Sequence, residues 1–242
     1  MDFFSELALE TAQTAGNGLK IGERKLSPRV RRLCFVAPSA FGEGGARGSG
    51  AYHTLLATGD PLTDDALLRD LSEGIARSLR LFGGKRRRVL AVGLGNPDAV
   101  VDALGAECVK KLSVGERGRR YLAALLPSVF GKTGLESALV VKGVAAEFRP
   151  DLVLCVDTLC TGRMERLSRA VQITDGGVVP GGGVGNRRLP ICRETLSVPV
   201  LSVGVPLLTS VAGRVVTPKE IDLLVPRFAS ALAAGVEKGL FE

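Results

Sequence analysis

The chain has 242 residues, 45% hydrophobic and 24% charged, the balance of an ordinary globular protein long enough to bury a substantial core. It contains no Trp, so a stacking platform for nucleic-acid bases is not expected, and its single His rules out a His-rich metal site. The net charge of +7 gathers at Arg24 to Arg32, Lys85 to Arg88, Arg117 to Arg120 and Arg187-Arg188. Such runs read first as solvated loops and second as a surface for an acidic partner.

Five cysteines without a CxxC pair, two of them in or beside an apolar strand, indicate a reducing compartment. No apolar run approaches the length of a membrane span, and the N-terminus lacks a basic region followed by an apolar one. The expectation is a cytoplasmic protein with no membrane partner and no direct nucleic-acid binding.

In chain order, residues 1–60 show little periodicity beyond a strand at Leu33 to Ala37 and a glycine-rich loop from Ser39 to Gly50. From Thr63 the spacing of Leu67, Leu68, Leu71, Ile75, Leu79 and Phe82 predicts a helix, capped by Thr63 or Asp64 and ended by Gly83-Gly84. Val89 to Gly95 is a continuous apolar run, as in a parallel strand covered on both faces. Helices are predicted over 99–112 and 134–148, and strands near 152–156, 170–173 and 199–204. Thr217-Pro218-Lys219-Glu220 has the pattern of a capping box that opens a C-terminal helix, which Pro226 is expected to kink or split. Strands alternate with helices throughout, so one α/β domain over residues 1–242 is the economical reading.

Two familiar motifs fail. Gly93-Leu94-Gly95 follows a strand, but the third glycine of a dinucleotide fingerprint belongs at position 98, where Asp98 stands. Gly131-Lys132-Thr133 imitates the end of a phosphate-binding loop, yet the loop's first glycine position holds Leu126. His53 alone, in a flexible-looking stretch, cannot serve a Ser-His or Cys-His apparatus and is expected at the surface. The chemistry is left to carboxylates, amides, arginines and lysines.

The stretch Val171 to Arg188 holds six glycines, Asp175 and two arginines. It reads as a glycine-rich loop between two strands, with Asp157 at the exit of the strand before it. Asp102 follows the first central strand. If those strands are neighbours, the two carboxyls meet at one sheet edge, where α/β ligand sites form. Two carboxyls held close cannot both ionise, so one can activate water while the other donates to a carbonyl oxygen. Aspartates after strands also cap the next helix, and spacing alone leaves both readings open.

The motifs VGLGN (92–96), DALG (102–105), RPDLVLCVDTL (149–159), ERLSRAVQITD (165–175), PGGGVGNRR (180–188), ETLSVPVLSVGVP (194–206) and TPKEID (217–222) run in this order over most of residues 89–242. In them the chain resembles the spore germination proteases, atypical aspartic peptidases. The resemblance implies a three-layer α/β/α sandwich with a mainly parallel sheet, similar to the hydrogenase maturation peptidases. It also implies Asp102 and Asp157 as the catalytic pair, with no metal and no cofactor, and small acid-soluble spore proteins as substrates. Synthesis as a zymogen, removal of an N-terminal segment and assembly as a homo-oligomer, a tetramer, follow from it too. Ser5-Glu6-Leu7-Ala8-Leu9-Glu10 fits the family's processing site, with the cut between Glu6 and Leu7.

Asn96, Asp175, Gly183, Gly185, Asn186 and Arg187 are the supporting or substrate-binding residues expected beside the pair. Arg187 and Arg188 can hold an acidic side chain, and the glycine-rich loop can pair with an extended peptide. The chain departs from the family in a short Leu207 to Val216 segment and in Val179, Gly182 and Gly162, where histidine, serine and arginine are usual. Two other functions compete: a metal-assisted processing peptidase with the two acids as ligands, and an inactive homologue that binds spore proteins without cutting them.

Overall fold

The computed structural model describes residues 5–14, 19–38, 48–84, 86–182, 188–211 and 214–242. Expectations for Gly183, Gly185, Asn186 and Arg187 lie outside them. The elements in order are α1 (Ala8–Thr14), β1 (Gly22–Lys25), β2 (Val30–Ala37), β3 (Gly50–Ala57), α2 (Asp65–Leu81), β4 (Arg88–Gly93), α3 (Leu104–Lys110), β5 (Gly115–Arg117) and β6 (Arg120–Leu125). They continue with α4 (Phe130–Thr133), α5 (Ser137–Phe148), β7 (Leu152–Thr161), β8 (Ala170–Thr174), α6 (Arg193–Leu196), β9 (Val200–Val211), β10 (Arg214–Val216) and α7 (Ile221–Phe241). Short 3₁₀ turns occupy Val100–Asp102 and Met164–Arg166.

The strands form one sheet in the order β1-β2-β3-β8-β9-β7-β4-β6-β5, with β10 paired to β9. Its centre, β6-β4-β7-β9, is parallel. The expectation of a mainly parallel sheet holds there and fails outside it, where every pairing is antiparallel. The central strands alternate their apolar side chains between two covered faces. Val89 and Ala91 join the cluster under α2, α3 and α7, while Leu90 and Val92 join the one under α5 and α6. With α1 packed over β2 and β3, the molecule is a three-layer α/β/α sandwich.

The predicted helix α2 starts from Asp64, whose carboxylate accepts the Leu67 N–H at 3.0 Å, and ends before Gly83 at φ 61°. Its crossing with α7 is tight because Gly235 and Gly239 face it. A Cβ on Gly235 would stand 2.7 Å from the Ser72 carbonyl oxygen. Helix α7 itself departs from expectation. It begins at Ile221, and the Thr217 hydroxyl donates to the Leu207 carbonyl at 2.9 Å instead of capping the helix. The helix runs unbroken past Pro226.

The 99–112 helix is really a 3₁₀ turn followed by α3, a break that matters below. Strands β1, β3, β5 and β10 escaped prediction because they lie in the antiparallel flanks or at sheet edges, where polar residues interrupt the apolar run. Strand β6, parallel to β4, escaped because only its Leu122 is buried. His53 is not on a loop: it sits in β3, packs on the Phe82 ring at 4.7 Å, and burial pushes its pKa down to about 4. Part of the basic charge is also structural. Arg80, Arg86 and Arg120 donate to the carbonyls of Lys238, Leu79, Gly239 and Leu240, at the C-terminal ends of α2 and α7.

Candidate active site

Strand β7 outlasts its neighbour. β4 pairs with it from Val89 opposite Leu152 to Gly93 opposite Val156 and then turns away, whereas β9 stays paired as far as Thr161. Asp157 is the first residue past the point where β4 leaves. It therefore lies in mid-strand and not at the strand exit, because the long β9 keeps supplying hydrogen bonds on one side. The space vacated on the other side is the crevice in which α/β sheets place ligands.

Asp102 reaches that crevice through close backbone contacts. Gly95 has φ 94°, and a Cβ there would stand 2.1 Å from the Asp102 carbonyl oxygen. A Cβ on Gly105 would stand 2.3 Å from the Val156 oxygen and 2.4 Å from that of Leu94. These two glycines let the turn and α3 press onto the ends of β4 and β7, so the VGLGN and DALG motifs pack as one unit. The Asn96 N–H donates to Asp102 Oδ2 at 2.7 Å. The Asn96 side chain is used locally, accepting the Asp98 N–H at 3.1 Å.

Asp102 and Asp157 line the same cavity, about 380 Å³ in volume, with Glu6, Thr158, Glu136 and Arg188 among the other walls. Asp157 is 5% exposed and accepts the Thr158 N–H at 2.9 Å. Its pKa is raised well above the usual carboxylate value, chiefly by burial, then by the charges of Glu6 and Asp102. Burial raises Asp102 as well, opposed by the hydrogen bond from Asn96. Burial and the neighbouring charges thus favour the protonated form of Asp157. A wider groove of about 860 Å³ lies between α2 and α7, where Glu73 pairs with Lys238.

The other sequence candidates divide. Arg188 is at the cavity, its guanidinium 2.8 Å from Glu136 and stacked 4.6 Å over Phe130. Asp175 is elsewhere: its carboxylate accepts the Ala51 N–H at 2.7 Å, tying the glycine-rich loop to β3. The loop is pinched at its base by reciprocal hydrogen bonds between Val178 and Ile191, and Pro180 and Gly181 reach the cavity wall. Lys132 of the rejected phosphate-loop motif pairs with Asp98 on the rim.

Glu6, expected from the sequence only at the processing site, also lines this cavity. Its N–H donates to the Cys160 carbonyl at 2.8 Å, and its carboxylate accepts the Cys160 N–H at 2.8 Å. Gln172, Thr158 and Glu136 were missed. The available signal was that Asp157-Thr158-Leu159-Cys160-Thr161 turns polar while the strand continues.

An α/β sandwich with one buried and one half-buried carboxyl on a crevice where a central strand outlasts its neighbour has the geometry of a ligand-binding cleft. The germination protease family model matches residues 43–214, and the chain belongs to that family. The germination protease of Clostridium acetobutylicum is 29% identical over 238 residues, covering 92% of this chain and 72% of that protein. Those of Caldanaerobacter subterraneus and Clostridium perfringens are each 33% identical, covering 64% and 72% of this chain and 67% and 57% of the respective relatives. The chain thus spans between about half and three quarters of the length of these relatives. Among solved structures, a [NiFe] hydrogenase maturation protease, HycI from Thermococcus kodakarensis, aligns with a TM-score of 0.42 and 22% identity. That alignment covers 66% of this chain and 99% of the other, and it is too loose to carry an argument. No helix among the described residues is long and apolar enough to cross a membrane.

Proposed function

We propose that the chain is an endopeptidase that cleaves small acid-soluble spore proteins after acidic residues, with Asp102 and Asp157 as its water-activating pair. The observation that carries this reading is the meeting of the two carboxyls on one cavity, with Asp157 pushed toward its protonated form by burial, Glu6 and Asp102. Asp102, held by the Asn96 N–H, is the ionised partner and takes a proton from a water bound between the two. The hydroxide adds to the scissile carbonyl carbon while Asp157 donates its proton to the carbonyl oxygen. The tetrahedral intermediate then collapses, the C–N bond breaks, and the proton on Asp102 passes to the leaving amine. One water is consumed, one carboxylic acid and one amine are formed, and Asp157 regains its proton from the collapsing hydroxyl.

The Glu6–Leu7 bond is the chain's own processing site in this reading. Glu6 lines the cavity beside the pair, and the residue after it, Leu7, is fully buried. A cut here would leave an ammonium at a buried position, a state that favours expulsion of the segment.

The test is digestion of a purified small acid-soluble spore protein, read by mass spectrometry, with the full chain and its Asp102→Asn and Asp157→Asn variants. Discrete cuts after acids, unaffected by chelator and at least about 10³-fold slower in both variants, are expected, since each loss removes a group that acts in the transition state. Cuts abolished by chelator would assign the two acids to a metal. An active enzyme that retains Met1 would remove the self-processing step.

A further inference from the structure

At the edge of the sheet opposite the crevice, arginines gather without acids to pair them. Strand β4 starts at Arg88 and β6 at Arg120, and both run parallel to β7, whose far half carries Asp157. The C-terminal ends of α2 and α7 meet these two strand starts, where Arg86 and Arg120 bind their last carbonyls. Between them lies a concave pocket of about 430 Å³ whose walls include Arg80, Arg86, Arg87, Arg119, Arg120 and Glu242.

Two of these guanidiniums are anchored and two are uncommitted. Arg86 is half-buried; its Nη1 donates to the Gly239 carbonyl at 3.1 Å and its Nη2 to that of Gly83 at 3.0 Å. Arg120, also half-buried, donates through Nη1 to the Leu240 carbonyl at 2.5 Å, which leaves its other N–H groups for a ligand. Arg87 and Arg119 are exposed, and among the described residues their side chains make no hydrogen bond and no ion pair. Glu242 stands in the wall without reaching ion-pair distance of any of the five. Asp151, the acid beside Arg87, is engaged by the main-chain N–H groups of Arg87 and Arg88, each at 3.0 Å. Burial and the charge of Arg120 push the pKa of Arg86 below the usual arginine value. Arginine does not shed its proton near neutral pH, so titration cannot relieve this repulsion. A bound anion can.

We propose that this pocket is a binding site for a small oligophosphate anion, with Arg86 and Arg120 as its anchored donors and Arg87 and Arg119 as its uncommitted ones. Guanidinium forks take phosphate oxygens two at a time, which favours phosphate over a spherical anion. Five guanidiniums against one carboxyl need more negative charge than a single orthophosphate carries. The volume is that of a small-ligand site. No aromatic ring is among the described walls, so a base has nothing to stack on and the phosphate chain itself is recognised. The site and the crevice lie at opposite ends of the parallel strands, so ligands at the two do not exclude each other. The assignment does not depend on the peptidase reading.

The probe is inorganic triphosphate, titrated calorimetrically into the full chain at about 0.15 M salt, where loose surface charge is largely screened. Orthophosphate, sulfate at equal ionic strength and a short single-stranded DNA are titrated beside it. Triphosphate should bind one per chain with a Kd below about 100 μM, at least about tenfold tighter than orthophosphate or sulfate. Changing Arg87→Gln and Arg119→Gln together should weaken it at least about tenfold, with the ligand-free Tm within about 2 °C of wild type because neither side chain holds the fold. The same loss of charge elsewhere, Arg24→Gln with Lys25→Gln on the exposed strand β1, should change Kd by less than about twofold. Absence of saturable binding, equal binding of sulfate, or a Kd as sensitive to the β1 pair as to Arg87 and Arg119 would overturn the site. DNA binding that is tighter than that of triphosphate and lost with Arg87 and Arg119 would also overturn it, in favour of a nucleic-acid backbone. The comparison of anions on the wild type needs no variant, so a folding defect in one does not blunt it.

Discussion

The two halves of β7 are built from the same backbone and differ in what lies beside them. Leu152 to Val156 runs between β4 and β9 with both faces covered, and every side chain is apolar or cysteine. Asp157 to Thr161 keeps β9 but has lost β4, and its side chains include a carboxyl and two hydroxyls, all buried. The first half is a core that needs only volume filled. The second half buries polar groups in the crevice left by the departing strand, at the expense of stability, and collects around it Asp102, Glu6, Gln172, Glu10 and Arg166. One strand thus carries the core at its start and the wall of the cavity at its end.

The contrast can be broken most strongly in the first half. Leu154 is fully buried in the layer under α2, α3 and α7. Leu154→Ala should cost about 3 kcal/mol, a loss of roughly 6–12 °C in Tm by thermal unfolding. Peptide KM in the folded fraction should stay within about twofold. A comparable stability loss with a large change in KM would show that the two halves do not act independently.

The same contrast explains what could be read from sequence. The central strands and α2 were legible because burial on both faces, or on one helical stripe, writes itself as an apolar run or a 3.6-residue period. Asp102 and Asp157 were legible as residues that follow such runs. Strand β3 was not, since Tyr52, His53 and Thr54 interrupt its apolar positions and its burial comes from β2, β8 and α2. The Thr217 capping pattern misled because a distant carbonyl, Leu207, took the hydroxyl. Glu6 and Glu10 lie on a short helix and the residues before it, and their partners are about 150 residues away, a pairing that no local pattern encodes.

In the second half of β7 the clearest probe is pH. Asp157 has its pKa raised in the folded state by burial and by the charges of Glu6 and Asp102. Between the ordinary carboxylate value and that raised value, the folded protein keeps a proton that the unfolded chain has released. Stability contributed by this group is therefore present at acid pH and lost as pH rises through the window. Asparagine cannot ionise and escapes the loss. Asp157→Asn should match the wild type near pH 3–4 and exceed it at pH 7 by at least about 2 °C in Tm, the equivalent of roughly 1 kcal/mol or less for a chain of this length. A difference that is constant across pH would mean that Asp157 is not held protonated by its surroundings.

The smallest effect sits one residue further on. Thr158 is buried at the cavity, and its hydroxyl has no hydrogen-bond partner among the described residues. A buried donor left unpaired costs about 1–3 kcal/mol, whereas a methyl of the same shape costs nothing to desolvate. Thr158→Val should therefore raise stability by up to about 1 kcal/mol, the reverse of most core substitutions. If the hydroxyl is kept for the cavity's occupant, peptide cleavage should fall at the same time, by about five- to tenfold. A gain in Tm with unchanged cleavage would reduce the threonine to an unsatisfied packing group. A loss in Tm would mean that the hydroxyl is already satisfied in solution, and that the polar half of β7 is less costly to bury than its static hydrogen bonds imply.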